Sequence, residues 1–201
     1  RMFVPTETQE RKALVFALCA VLLWSTVATG FKLGLEHLLP LQLLLTGTCI
    51  SWVLFGIAAS VCKAYKISLR ELPTIVVLGI INPFAYYLVV FGSYSRLPAQ
   101  IAQPILITWA IVFALLAVPV LKQQITRRGL AGIALSYIGV LIVLFQNPID
   151  ADTPLSITGV ALAFSSTLFW ALYWLFNTRC KSHPIAVMFY SFTVGLILIA
   201  A

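Results

Sequence analysis

The chain has 201 residues, of which 61% are hydrophobic and 9% charged, with a mean hydropathy of +1.02 and a formal charge of +7. Soluble domains average about 25% charged residues, so a water-facing globule is excluded. The basic residues lie in loops beside apolar stretches rather than on one face, which argues against a nucleic-acid partner and for orientation in a lipid bilayer.

Seven apolar stretches follow in chain order, at about 13–35, 41–62, 73–94, 97–121, 127–146, 157–178 and 184–201. Each approaches the 20 or so helical residues that a bilayer core about 30 Å thick requires. Only helices or closed barrels satisfy their backbone in hydrocarbon, and no stretch here alternates as a barrel strand does. The expected fold is all-α, a polytopic helical membrane protein. With the N-terminus cytoplasmic, the inner segments hold Arg1, Arg11, Lys12, Lys63, Lys66, Arg70, Lys122, Arg127, Arg128, Arg179 and Lys181. The outer loops hold one base, Arg96, together with Glu36, Asp150 and Asp152. That bias sets the orientation. The first stretch is too long, and too well followed by others, to be a cleaved signal peptide. A start at Arg1 and a stop at Ala201 within an apolar run predict a longer protein.

Span 1 carries Trp24 and, near its outer end, Lys32, the only charge inside a span apart from Arg127 and Arg128 at the inner edge of the fifth. Lys32 is read either as a side chain snorkelling to the interface or as an outward vestibule charge, with Glu36 one turn on. Trp24, Trp52, Trp109 and Trp170 lie roughly 17–20 Å into their spans, too deep for interfacial anchors. They either pack between helices or line a cavity. Span 3 holds Asn82-Pro83 near its middle and span 4 holds Gln103-Pro104. Each proline leaves a carbonyl unbonded four residues back, at Gly79 and Gln100, and broken helices point to binding sites in transporters. Tyr86 extends the Asn82 face. Span 5 presents a stripe of Gly129, Gly132, Ser136 and Gly139, read first as internal packing and second as a homodimer contact. Span 6 places Ser166, Trp170, Tyr173 and Asn177 on one helical face.

Absences narrow the class. No span contains Asp, Glu or His, so a catalytic dyad or an intramembrane metal site has nothing to be built from. Neither enzyme activity nor a cofactor is expected. The four cysteines form no framework.

The segment at 22–32 reads like that at 168–178, with Trp24 against Trp170 and with Pro40 and Pro184 opening the next spans. Five spans separate the copies, so the second is inverted, a device of secondary transporters. At this point the chain resembles a known family. The stretches LLWSTVATGFKLGLEHLLPLQLLL at 22–45 and LPAQIAQPILITWAIVFALLAVPVLKQQITRRGLAGIALSYIGVLIVL at 97–144 are similar to the EamA family of the drug/metabolite transporter superfamily. The resemblance implies that 1–146 is one five-helix repeat and 157–201 the start of a second, inverted one. It further implies ten helices in all and a central cavity opening alternately to either side. Two departures stand out: Lys122, Gln123 and Gln124 replace a Gly-Glu-Arg common in the family, and Gly47 stands near a position where relatives often carry arginine.

The expected function is alternating-access transport of a small organic metabolite, an amino acid or similar, most readily by export through a plasma membrane such as a bacterial inner membrane. The betting set for the substrate site is Trp24, Asn82, Tyr86, Gln103, Trp170, Tyr173 and Asn177. Without an intramembrane carboxylate the substrate is expected to be neutral, zwitterionic or anionic rather than a lipophilic cation. The competing expectation is a non-transporting membrane scaffold that dimerises through small-residue helix faces.

Overall fold

The computed structural model describes residues 7–121, 125–146 and 156–201; the Asp150–Asp152 loop and the departure at 122–124 lie outside them. The described residues are helical throughout, without strands. Helix α1 (Glu7–His37) and α2 (Pro40–Val61) are continuous. A short 3-10 turn leads into α3 (Leu72–Gly79), a π-helical turn over Ile80–Ala85 and α4 (Tyr86–Tyr94), which together make the third span. The fourth is α5 (Ala99–Ile107) with α6 (Trp109–Leu121). Then come α7 (Arg127–Gln146), α8 (Ile157–Asn177) and α9 (Pro184–Ala200). Among the described residues, five segments are long and apolar enough to cross a membrane: Ala13–His37, Pro40–Val61, Leu69–Tyr94, Ala99–Leu121 and Ile157–Asn177. Helices α7 and α9 occupy the remaining two expected positions.

Local chemistry starts these helices where the residues ask for it. Pro40 and Pro184 open α2 and α9, where a missing N–H costs nothing and the fixed φ suits the first turn. The backbone N–H of Leu39 donates to Gln42 Oε1 at 3.0 Å, and that of Gly159 donates to Ser156 Oγ at 3.1 Å. Each such cap satisfies an N–H that the helix itself leaves unbonded.

The third span breaks where Asn82-Pro83 stands. Asn82 is extended, with φ −141° and ψ 117°, and the Asn82–Pro83 peptide is cis. The fourth behaves differently. Pro104 is carried within α5, and the interruption falls at Thr108, four residues on. There the backbone tightens into a turn, with the Thr108 N–H donating to the Ile105 carbonyl at 3.0 Å and its hydroxyl to the same carbonyl at 2.7 Å.

Helix α8 is the centre of the bundle, packed against α3, α4, α5 and α6. Tyr86 meets Trp170 while Gly92 meets Leu162, so α4 and α8 run antiparallel. Trp52 meets Thr193 while Gly56 meets Phe189, so α2 and α9 are antiparallel as well. Around the break, α9 approaches α3 closely. A Cβ at Gly79 would lie 2.5 Å from the Ser191 carbonyl oxygen, and one at Gly195 would lie 2.5 Å from the Pro83 ring. These glycines are there because nothing larger fits.

At one end of the bundle, the Glu71 carboxylate accepts from the backbone N–H groups of Lys181 and Ser182 and from the Ser182 hydroxyl, at 2.9, 3.2 and 2.6 Å. The Ser68 N–H donates to Ser182 Oγ at 3.2 Å. This clasp joins the start of the third span to the α8–α9 turn.

Helices α1 and α7 stand at the periphery. None of the 18-residue apolar window of α1 is buried, and α7 touches only α5 appreciably. The expectation that the small-residue stripe of α7 serves internal packing fails among the described residues. Positions Gly132 and Gly139 face open space, because the stripe points away from the bundle. In α1, by contrast, Gly34 lets the Leu43 side chain of α2 approach to 2.9 Å from where a Cβ would be.

Candidate functional site

A chamber of about 100 Å³ lies between α1, α4, α5, α6 and α8. Trp24 and Phe31 enter from α1, Tyr86, Tyr87 and Tyr94 from α4, Gln103 from α5, Trp109 from α6 and Trp170 from α8. Trp170 is the hub. Its ring lies 4.5 Å from Tyr86, 5.5 Å from Tyr173, 6.2 Å from Trp174 and 6.3 Å from both Trp24 and Trp109, centroid to centroid. Each well-oriented aromatic pair contributes about 0.5–1.5 kcal/mol beyond its buried area, so the indole is held by several neighbours at once.

Held so, Trp170 is only 8% exposed, and its Nε1–H has no partner among the described residues. A buried donor without an acceptor costs about 1–3 kcal/mol. The residue at the hub of the chamber thus carries a buried, unspent hydrogen-bond donor. Gln103 has its Oε1 engaged by the Tyr94 hydroxyl. That bond orients the amide and leaves its NH₂ for another acceptor. Trp24, at 52% exposed, is a half-exposed part of the wall.

The structure brings together Trp24, Tyr86, Gln103 and Trp170 from the expected set. Asn82 and Tyr173 stand behind them. Tyr173 stacks on Trp170, faces the Asn82 side chain, and donates its hydroxyl to Met188 Sδ at 3.2 Å. Asn82 is buried, and its Oδ1 has no partner among the described residues. Asn177 is the last residue of α8 and sits apart, half-buried, at the helix end. Ser166, on the same stripe, spends its hydroxyl on the Ala163 carbonyl at 2.6 Å.

Lys32 reaches across to α4. Its ammonium donates to the carbonyls of Tyr94 and Leu97, at 2.7 and 3.0 Å, and so closes the C-terminal end of α4 from across the helix interface rather than pairing with Glu36. Three of the four deep tryptophans line the chamber. The exception is Trp52, whose Nε1–H donates to Thr193 Oγ1 at 2.9 Å and whose ring stacks on Phe189, tying α2 to α9. Phe31, Tyr87 and Tyr94 were missed from the sequence. A seven-residue spacing from Trp24 is the signal that puts Phe31 on a face already chosen; Tyr87 adjoins Tyr86 in sequence, and Tyr94 shares the Tyr87 face by the same spacing.

Residues 11–145 match the model of the EamA-like transporter family. The chain belongs to that family. An uncharacterized transporter of Archaeoglobus fulgidus is 25% identical over 93% of this chain and 65% of its own length. A protein of Salmonella typhimurium named a probable amino-acid metabolite efflux pump is 28% identical over 86% of the chain and 56% of its own length. The uncharacterized transporter YyaM of Bacillus subtilis is 30% identical over 61% of the chain and 41% of its own length. The chain thus spans between 41% and 65% of the length of these relatives. No solved structure matches it. As a member of this family the chain is a multi-pass membrane protein, and its chamber sits among helices of the matched region and α8.

Proposed function

We propose that the protein moves a small neutral, zwitterionic or anionic metabolite, an amino acid or a close relative of one, out of the cell by alternating access. In this reading the chamber around Trp170 is the substrate site. Its N-terminus is cytoplasmic, the membrane is the plasma membrane, and it performs no covalent chemistry. The observation that carries the reading is the unpartnered Trp170 Nε1–H inside an aromatic enclosure. A carboxylate or carbonyl oxygen entering there relieves the cost of that orphaned donor. The Gln103 amide adds a second donor, and no carboxylate is present to hold a cation. The efflux-pump name of the Salmonella relative supports the direction and the substrate class.

Two further features support an inverted second repeat beginning near residue 157. The pseudo-equivalent Trp24 and Trp170 rings touch at 6.3 Å, and α2 and α9, the second helices of the two copies, are antiparallel. The test is transport by the full-length protein in proteoliposomes, with amino acids and organic anions competing against tetraphenylphosphonium-like cations. Selective movement of amino acids or anions supports the proposal. Selective movement of the cations overturns it.

A further inference from the structure

A second cavity, of about 140 Å³, lies beside the chamber, between α1, α2, α4 and α9. Leu44, Phe91 and Phe192 make its walls apolar, and Thr48 and Ser51 put hydroxyls on its α2 side. Phe31 and Tyr87 line both cavities and meet edge to face, with ring centroids 6.0 Å apart, so this aromatic pair is the shared wall. Gly47 borders the side cavity, and a Cβ built there would meet nothing within 4 Å. Position 47 is exposed, so a larger side chain there has room to extend over the cavity.

The size of the cavity points to an occupant. An apolar cavity of about 150 Å³ holds a benzene molecule. The side cavity therefore has room for a phenyl or branched aliphatic group. A charged head would lose its hydration there without a charged partner in return. The adjoining chamber has the opposite character, with the free Trp170 Nε1–H and the Gln103 amide.

We propose that this side cavity is the subsite for the apolar group of the substrate, making the preferred cargo a large neutral amino acid or similar amphiphile. Its polar end is held in the chamber, and its aromatic or branched end displaces the Phe31 ring and enters beside Gly47. This rests on the transport reading above. An acyl chain from the bilayer is the competing occupant. The wall shared with the polar chamber and the two hydroxyls favour a substrate group over a lipid tail.

The experiment compares alanine, leucine and phenylalanine as substrates of the full-length protein in proteoliposomes, for wild type, Gly47→Leu and Gly132→Leu. Gly132 on α7 also faces open space but lies outside both cavities. Discrimination by an apolar pocket is about 10–200-fold per methylene at best. Gly47→Leu is therefore expected to lower the leucine-to-alanine and phenylalanine-to-alanine ratios of kcat/KM by about tenfold or more, with Gly132→Leu leaving both unchanged. Ser51→Leu fills the same cavity from one turn further along α2 and replaces Gly47→Leu if the latter fails to insert. Unchanged ratios in a transporting variant overturn the subsite and assign the cavity to lipid. Failure of wild type to move any of the three, or any other amphiphilic metabolite, overturns the transport reading itself.

Discussion

At the scale of single residues, Trp170 joins ring and donor in one side chain. Trp170→Phe removes the N–H and also shrinks a buried ring that five aromatic neighbours pack against. The change is expected to lower kcat/KM by at least about three- to tenfold, the worth of a neutral hydrogen bond, and to lower the melting temperature as well, because a large-to-small change at a packed site leaves a cavity. Transport assays beside thermal unfolding in detergent read both quantities. Lys32 is expected to act on stability alone. Lys32→Met leaves two carbonyls at the end of α4 without their donor, and stability is expected to fall by about 1–3 kcal/mol, measured as a lowered unfolding midpoint. The difference between Trp24 and Trp52 shows where sequence reasoning stops at this scale. Counting residues along a helix yields depth, and both indoles are deep; which way each faces depends on rotation about the helix axis. Only the neighbours reveal that: Trp170 beside Trp24, and Thr193 with Phe189 beside Trp52.

At the scale of elements, helix starts were legible because proline and short polar residues act within a few positions of where they stand. Pro40, Pro184 and Ser156 each begin a helix. The break at Asn82 was legible for the same reason. The break at Thr108 was not, because α5 absorbs Pro104 and the interruption appears one turn later. The α7 stripe misled for a different reason: small residues reveal that a helix can approach, but not that one does. The close crossing of α9 over the broken span yields a sharp expectation. Gly195→Ala drives a methyl group into the rigid Pro83 ring, and overpacking of this kind costs about 1–3 kcal/mol. Gly139→Ala, at an open position, should cost nothing and raise helix propensity. Unfolding midpoints of the two variants, measured side by side, check the contrast.

At the scale of the whole molecule, the alternation of basic loops agrees with the directions of the packed helices. Spans three and six, and spans two and seven, are separated by odd numbers of crossings and are antiparallel. Absolute orientation is tested at Cys62, which is exposed just beyond α2. In a variant retaining only Cys62, a membrane-impermeant maleimide should fail to react in intact cells and react once they are opened. Cys180 is a poorer reporter, since burial and then the Glu71 charge push its thiol pKa up and slow its reaction. The Glu71 clasp has a larger consequence. In the proposed alternating-access cycle one place has to stay still, and the hydrogen bonds converging on the Glu71 carboxylate from the α8–α9 turn would serve as its fulcrum. Spin labels at the clasp should then keep one distance in both access states, while labels at the opposite end of the bundle, near Arg96 and Ser156, report two.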